Sequence, residues 1–375
     1  MGLLKNEKTP LDFDLPEEHQ EGFDEISKLP DRLERYAYAH KRALLNVAQI
    51  DKTINSLGVS PFTRKLQTIR PRLAECGDYL VFKHYYTAGQ VRLTAANFCK
   101  CHLLCPLCAI RRGSKTLEAY VKRFEIIKAA NPGLKLSMLT VTVKNGDDLK
   151  ERFNHLKKCL SVMMEHRRKT LLGVRGYHSE FAKILGLVGS IETTIDGGKG
   201  LIILTGWHPH AHLMILHHGW LELSDMKAEW LKITGDSHVI NLTAAMHPDN
   251  PAQDFLEIFK YGLKFASLTP AQNIEAYEVM HGKNLLFSAG LFRGVEIPES
   301  SLDGELDDLP YIELFYEYLE KSGYNLKVVK DSEDFKAGHF YQNSKEKPKN
   351  TVNNGFDIVN FLNSKLERKT EKYSK

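Results

Sequence analysis

The sequence predicts an α+β protein in which helices back a mainly antiparallel central sheet. A small cysteine-rich segment precedes that sheet, and helical flanks adjoin it. Three observations carry the prediction. Four segments have β-branched or alternating composition: "LKLSMLTVTV" (134–143), "LGLVGSIETTI" (185–195), "GWHPHAHLMILHHGW" (206–220) and "HVINLTAA" (238–245). Glycine-rich turn chemistry, "DGGKG", separates the second from the third, so those two strands read as a hairpin. Helical spacing fills the other intervals, giving the order strand, helix, strand, strand, helix, strand, helix, which fits a two-layer sandwich.

Each element has a local cause. Residues 1 to about 30 are polar and without clear periodicity, a loose lead-in. From Asp31, "DRLERYAYAHKRALLNVAQIDKTINSLG" has helical spacing and stops at a glycine. The cysteines follow, and then "TLEAYVKRFEIIKAANPG" reads as a helix closed by Asn-Pro-Gly. "DDLKERFNHLKKCLSVMMEHRRKTLLG" is a long helix with aspartate at its start and glycine at its end. "LSDMKAEWLKITG" and "NPAQDFLEIFKYGLKFAS" complete the helical set. Beyond residue 300, "ESSLDGELDDLPYIELFYEYLEKSGY" is acidic and aromatic and is read as a docking helix. "NSKEKPKNTVNNG" reads as a linker, and the lysine-rich end as frayed. The expected organisation is a lead-in and helix at 1–70, a cysteine-rich segment at 71–130, a central domain at 131–297, and an acidic helix, linker and basic tail at 298–375.

Composition narrows the class. The 375 residues are 42% hydrophobic and 26% charged, as in an ordinary globular protein, with length for two or three domains. No apolar run reaches membrane-spanning length, and the N-terminus lacks the basic-then-apolar order of a signal peptide, so a cytoplasmic protein without membrane partners is expected. A net charge of +4 is too mild to indicate nucleic-acid binding by itself, although local basic patches occur at 111–115 and 166–169.

Five of the sixteen histidines fall between 208 and 218. On a strand His208, His210 and His212 share one face at steps of roughly 7 Å. Neighbouring imidazoles at that spacing can converge on one ion, each nitrogen about 2.1 Å from it. The hairpin places Glu192 of "SIETTI" beside them as a third ligand. Two imidazoles and a carboxylate with open positions suit Mn²⁺ or Mg²⁺, and also Zn²⁺.

In "DFLEIFKYGLKF" the spacings i, i+4 and i+7 put Glu257, Tyr261 and Lys264 on one helical face. A phenol is a weak nucleophile near neutral pH, since its pKa is about 10. A cationic Lys264 and a metal-polarised phosphate make its attack feasible, and Glu257 is placed for general-base work.

"FCKCHLLCPLCAIRRGSK" holds Cys99, Cys101, His102, Cys105 and Cys108. Clustered thiols in a cytosolic chain read as metal ligands, and the Cys-Pro-Leu-Cys knuckle is one half of a zinc site. The other half comes from Cys99 with either Cys76 or Cys101. Arg111 and Arg112, just beyond the knuckle, are candidates for DNA phosphate contacts.

"GWHPHAHLMIL" together with "LEIFKYGLK" resembles the rolling-circle plasmid replication initiators, the Rep proteins of the HUH endonuclease superfamily. In that likeness His210-Ala211-His212 is the His-hydrophobic-His triplet, "MLTVTV" resembles the first strand of the family, and "NLLFSAGLFRG" (284–294) its closing segment. Tyr261 matches the nicking tyrosine, Lys264 the lysine three residues later, and Glu257 the glutamate that activates water to end the cycle. An upstream Cys-Gly, a Phe-Cys and a Cys-Pro-x-Cys are also similar, which favours Cys76, Cys99, Cys105 and Cys108 as zinc ligands. The chain departs from that pattern by offering Cys101 and His102 as further candidates. The likeness spans about residues 70 to 295. It implies the HUH endonuclease fold and a nick at a plasmid origin presented as a hairpin or single strand. A 5′-phosphotyrosyl bond would form, and a 3′-OH would be left for a host DNA polymerase working with a host helicase.

Three other readings remain within the sequence. A transposase of the same superfamily would favour a second tyrosine in the Tyr261 helix, and none occurs before Tyr277. A non-catalytic zinc DNA-binding regulator would retain DNA and cut nothing. A metallohydrolase built on His208, His210 and His212 would leave Tyr261, Lys264 and the cysteines unexplained.

Overall fold

The computed structural model describes residues 25–197, 205–247, 250–259, 268–296 and 309–331. In chain order the helices are α1 (Leu29–Leu57), α2 (Pro61–Ala74), α3 (Pro106–Ala130), α4 (Leu149–Leu171), α5 (Leu223–Thr234), α6 (Pro251–Phe259) and α7 (Pro270–Met280). The strands are β1 (Tyr79–Tyr85), β2 (Gln90–Ala96), β3 (Lys135–Thr142), β4 (Gly186–Gly197), β5 (Thr205–His217), β6 (Ile240–Ala244), β7 (Leu286–Gly290), β8 (Ile312–Leu319) and β9 (Gly323–Asp331). Among the described residues they gather into two compact units, each built from discontinuous stretches: residues 35–77 and 97–296 in one, and residues 25–34, 78–96 and 309–331 in the other.

Helix starts follow their capping chemistry. Ser60 and Thr63 form a reciprocal capping box ahead of α2, with Pro61 in the first turn, and Thr269 with Gln272 does the same for α7. The Asp148 carboxylate accepts from the Glu151 backbone N–H at 3.0 Å to open α4. Helix α5 ends at Gly235, whose φ of 71° suits a residue without a side chain.

The first unit is organised around a five-stranded sheet of order β6-β3-β5-β4-β7, antiparallel at every pairing. The expected helix-backed antiparallel sheet is therefore the architecture found. Alternation gives the sheet two apolar faces. Val188, Met214 and Leu216 face a core completed by Leu117, Val121 and Phe124 of α3 and Phe255, Ile258 and Phe259 of α6. Residues of the opposite parity, Ala211, Leu213 and Ile215, are also fully buried, and α4 packs on β5 as well. Each buried leucine or phenylalanine contributes about 1.5–3 kcal/mol, so both layers hold β5 firmly. Helices α3 and α6 approach closely at Gly113, where an added Cβ would lie 2.9 Å from the Phe259 carbonyl oxygen.

The second unit is a four-stranded antiparallel sheet of order β2-β1-β8-β9. Leu80, Phe82, Ile312, Leu314 and Tyr316 are its buried side, with Phe82 and Tyr316 edge-on at 5.9 Å. This corrects the expectation of an acidic helix after residue 300. Ile312, Leu314 and Tyr316 repeat every second residue, the period of a half-buried strand, and β8 pairs with β1 and β9.

Candidate functional site

Strands β4 and β5 form the expected hairpin, in a register that sets Glu192 opposite His210 and Ser190 opposite His212. On its other side β5 pairs with β3, so Thr142 meets His210 and Thr140 meets His212. Directly paired residues share a sheet face. The carboxylate, both imidazoles and the two threonines thus stand on the face that carries Met214 and Leu216 further along the strand.

Glu192, His210 and His212 bring one ligand atom each into a common group. The Glu192 Oε2 lies 3.5 Å from the His210 Nε2 and 3.6 Å from the His212 Nε2. Ligand bonds of about 2.1 Å put neighbouring donors of a tetrahedral site about 3.4 Å apart, so the set fits a divalent ion. The other ring nitrogens fix the orientation. The His210 Nδ1 is 3.0 Å from the His208 carbonyl oxygen, and the His212 Nδ1 is 2.9 Å from the Thr140 hydroxyl. These contacts leave both Nε2 atoms aimed at the carboxylate. Ser190 donates to the second carboxylate oxygen, Oε1, at 3.3 Å. The carboxylate is fully buried, where an ionised group is costly without a compensating cation.

His208 is not drawn into this group. Its Nδ1 pairs with the Asn145 side-chain oxygen, and its ring stacks on His210 at 5.2 Å. Ser190 and Thr140 were missed in the sequence reading. Their signal was available, since each lies on the histidine-bearing face once the strand register is known.

The second group joins Cys76, Cys99, Cys105 and Cys108. Its sulfur separations are 3.5 Å for Cys76–Cys105 and 3.6 Å for both Cys76–Cys108 and Cys99–Cys108. Tetrahedral zinc with bonds of about 2.3 Å needs sulfurs about 3.8 Å apart, so four thiols suit it. Cys76 and Cys99 flank the β1–β2 hairpin, and the Gly77 N–H donates to the Asn97 carbonyl at 2.9 Å to hold its base closed. Cys105 is the N-cap of α3 and Cys108 lies one turn on. Hydrogen bonds from Cys105, Cys76 and Cys99 hold Cys108 well below the ordinary thiol range. Hydrogen bonding with Cys101 and then with the other members pushes Cys99 up, and Cys105 is raised chiefly by its hydrogen bond with Cys108. Cys101 and His102 stand outside the quartet. The Cys101 thiol donates to the Cys99 carbonyl at 3.4 Å, and the His102 Nδ1 lies 3.2 Å from the Arg112 Nη1.

Arg111 and Arg112 are both exposed on α3, with the Arg111 guanidinium 4.0 Å from the centre of the Phe98 ring. Glu257 belongs to α6, whose apolar residues cover the core on the histidine-bearing face of the sheet. Tyr261 and Lys264 lie outside the described residues. No helix among the described residues is long and apolar enough to cross a membrane.

The sequence profile of a family described as "Replication protein" matches residues 90–329, well over half of the chain. The chain belongs to this replication protein family. Two curated proteins are similar to the chain over part of their length. A "Protein rep" of Bacillus amyloliquefaciens is 31% identical over 177 residues, which cover 47% of this chain and 46% of that protein. Another "Protein rep", of a Bacillus species, is 31% identical over 163 residues, covering 43% and 46% respectively. The match to this replication protein thus spans about half the length of each relative. No solved structure matches the chain.

Proposed function

We propose that this replication protein initiates rolling-circle replication of a plasmid by cutting one DNA strand at the origin. The observation that carries the reading is the convergence of Glu192, His210 and His212 in a family of replication proteins. Mn²⁺ or Mg²⁺ bound there would neutralise charge on the oxygens of the scissile phosphate. Tyr261 is the nucleophile. Its phenolic oxygen bonds to phosphorus while the bond to the 3′ oxygen breaks. That oxygen leaves as a hydroxyl, taking up a proton in balance with the one the phenol gives up. Lys264 favours the phenolate, and His208 steadies the His210 ring by stacking. After one circle Glu257 accepts a proton from water, which then cuts the regenerated origin. The cysteine quartet holds zinc and fixes the start of α3, while Arg111 and Arg112 meet DNA phosphates. The partners are origin DNA, as a hairpin or single strand, and the host helicase and DNA polymerase of the cytoplasm.

The test is incubation with supercoiled DNA of the parent replicon and Mn²⁺ or Mg²⁺, followed by a denaturing gel. A nick at one sequence, with protein attached to the new 5′ end, is expected. DNA retention without any cut would favour a zinc-dependent DNA-binding regulator instead.

A further inference from the structure

A cavity of about 780 Å³ opens within the first unit among α2, the start of α3 and the turn after α7. Five cationic side chains line it, Lys65, Arg72, Lys100, Arg112 and Lys283, and all five are exposed. No carboxylate among the described residues lines it. Lys65 and Arg112 turn to imidazole nitrogens instead: Lys65 Nζ lies 2.7 Å from the His281 Nδ1, and Arg112 Nη1 lies 3.2 Å from the His102 Nδ1. Like charges concentrated in a concave site repel one another and raise the local affinity for anions. His281 is held below its usual range, first by burial and then by Lys65.

The place of this cavity in the sheet indicates which anion. Leu285 and Leu286 are part of its wall. Leu286 pairs with Ser190, the residue whose hydroxyl reaches Glu192, and the Leu285 carbonyl accepts from the Ile191 N–H at 2.8 Å. Paired residues share a face, so Leu286, in the cavity wall, stands on the histidine-bearing face of the sheet. Leu286 belongs to β7, about one strand spacing, roughly 5 Å, from the strand that holds Glu192. We propose that this cavity binds consecutive phosphates of the single DNA strand where it extends past the cutting site. It would act as a sequence-independent backbone clamp, with Lys65, Arg72 and Lys283 added to the Arg112 contact. The direction of the strand rests on the cutting-site reading above, but the binding itself does not.

The test measures binding of a fluorescein-labelled single-stranded oligonucleotide to the full chain, across a salt series and without added divalent cation. Each lost phosphate contact flattens the plot of log K against log salt by about 0.7 for a single strand. Lys65→Ala, Arg72→Ala and Lys283→Ala combined should flatten the slope by about two and weaken binding at least about tenfold at low salt. A control combining Lys52→Ala, Lys158→Ala and Lys232→Ala, all exposed elsewhere, should leave the slope near wild type. Inorganic pyrophosphate serves as the competitor and should displace the strand only at far higher concentration. An unchanged slope in the first variant would overturn the clamp, as would equal losses in both variants. Loss of pyrophosphate binding alone, with strand binding kept, would instead make the cavity a site for free phosphates. Absence of metal-dependent cutting in the wild type would remove the cutting-site reading and leave this measurement intact.

Discussion

Glu192 lies directly opposite His210 in the β4–β5 ladder, with its Oε2 3.5 Å from the imidazole Nε2. This is a relationship of register. A slip of one residue would turn the carboxylate to the other face and dissolve the group. Packing on both faces of β5 opposes that slip, because Met214 and Leu216 would have to exchange faces with Leu213 and Ile215 and be repacked against a different layer.

Metal affinity should therefore depend on both the donors and the groups that aim them. Glu192→Gln should reduce Mn²⁺ binding to near background in titration calorimetry. Thr140→Val removes the partner of the His212 Nδ1 and should weaken binding about 10- to 100-fold. His208→Ala should cost much less than His210→Ala or His212→Ala. Full affinity in Glu192→Gln would put the ion elsewhere.

The cysteine quartet should release protons when it takes zinc. Cys99 and Cys105 are raised above the ordinary thiol range and so are protonated at neutral pH, whereas Cys108 is held low. Ligation requires thiolates, so zinc added to stripped protein at pH 7 should release protons from at least those two groups. Binding should strengthen as pH rises. Cys76→Ser should abolish stoichiometric zinc uptake, while Cys101→Ser and His102→Ala should keep it. Zinc uptake with no proton release would exclude the quartet.

Four of the five strands of the first unit's sheet were legible in the sequence because their signals are local: β-branched runs, a glycine turn and histidines of one parity. The fifth, β7, five residues long at the sheet edge, was not read as a strand. The second unit was not legible. Its strand β1 pairs with β8 across more than two hundred residues, and no local pattern announces such a partner. The segment "YIELFYEYLE" carries acidic and aromatic residues that suit an amphipathic helix, but its buried residues recur with period two. Helix α2 was overlooked although Ser60-Pro61 and Thr63 mark its start. The cysteine set illustrates the same limit. The Cys-Pro-Leu-Cys half is readable from spacing, while the choice of Cys76 over Cys101 depends on a hairpin closing between distant residues.

Packing of α3 on α6 gives a stability prediction with an unusual sign. Glycine to alanine inside a helix ordinarily stabilises by about 1 kcal/mol. At Gly113 the new methyl would meet the Phe259 carbonyl oxygen at 2.9 Å, a backbone atom that cannot turn aside. Gly113→Ala should instead destabilise by about 1–3 kcal/mol, seen as a lower melting temperature. A raised melting temperature would mean the two helices separate freely.

If Tyr261 is the nucleophile proposed above, Tyr261→Phe should keep origin binding and lose nicking by at least about a thousandfold, because the ring is retained and only the attacking oxygen goes. Binding is read by gel shift and cutting by denaturing gel. Normal cleavage by the phenylalanine variant would assign the nucleophile to another residue.

Glu257 distinguishes an initiator that completes its cycle from an enzyme that only nicks. On the proposed mechanism, once a circle has been copied the regenerated origin would have to be cut while Tyr261 is still esterified. A second nucleophile is then required, and a carboxylate that takes a proton from water supplies one. Glu257 precedes Tyr261 by four residues in the sequence, a spacing that on a continuous helix would put both on one side, where the proposed mechanism has them address the same phosphate in turn. Glu257→Gln keeps the size of the side chain and removes the base. It should nick at a normal rate and begin synthesis, yet yield products longer than one unit on a replication assay resolved by gel. Glu257→Tyr should recover the second cut by forming another covalent bond, leaving protein attached to the DNA. Unit-length circles from Glu257→Gln would instead give Glu257 a positioning role only, and another base would have to end the cycle.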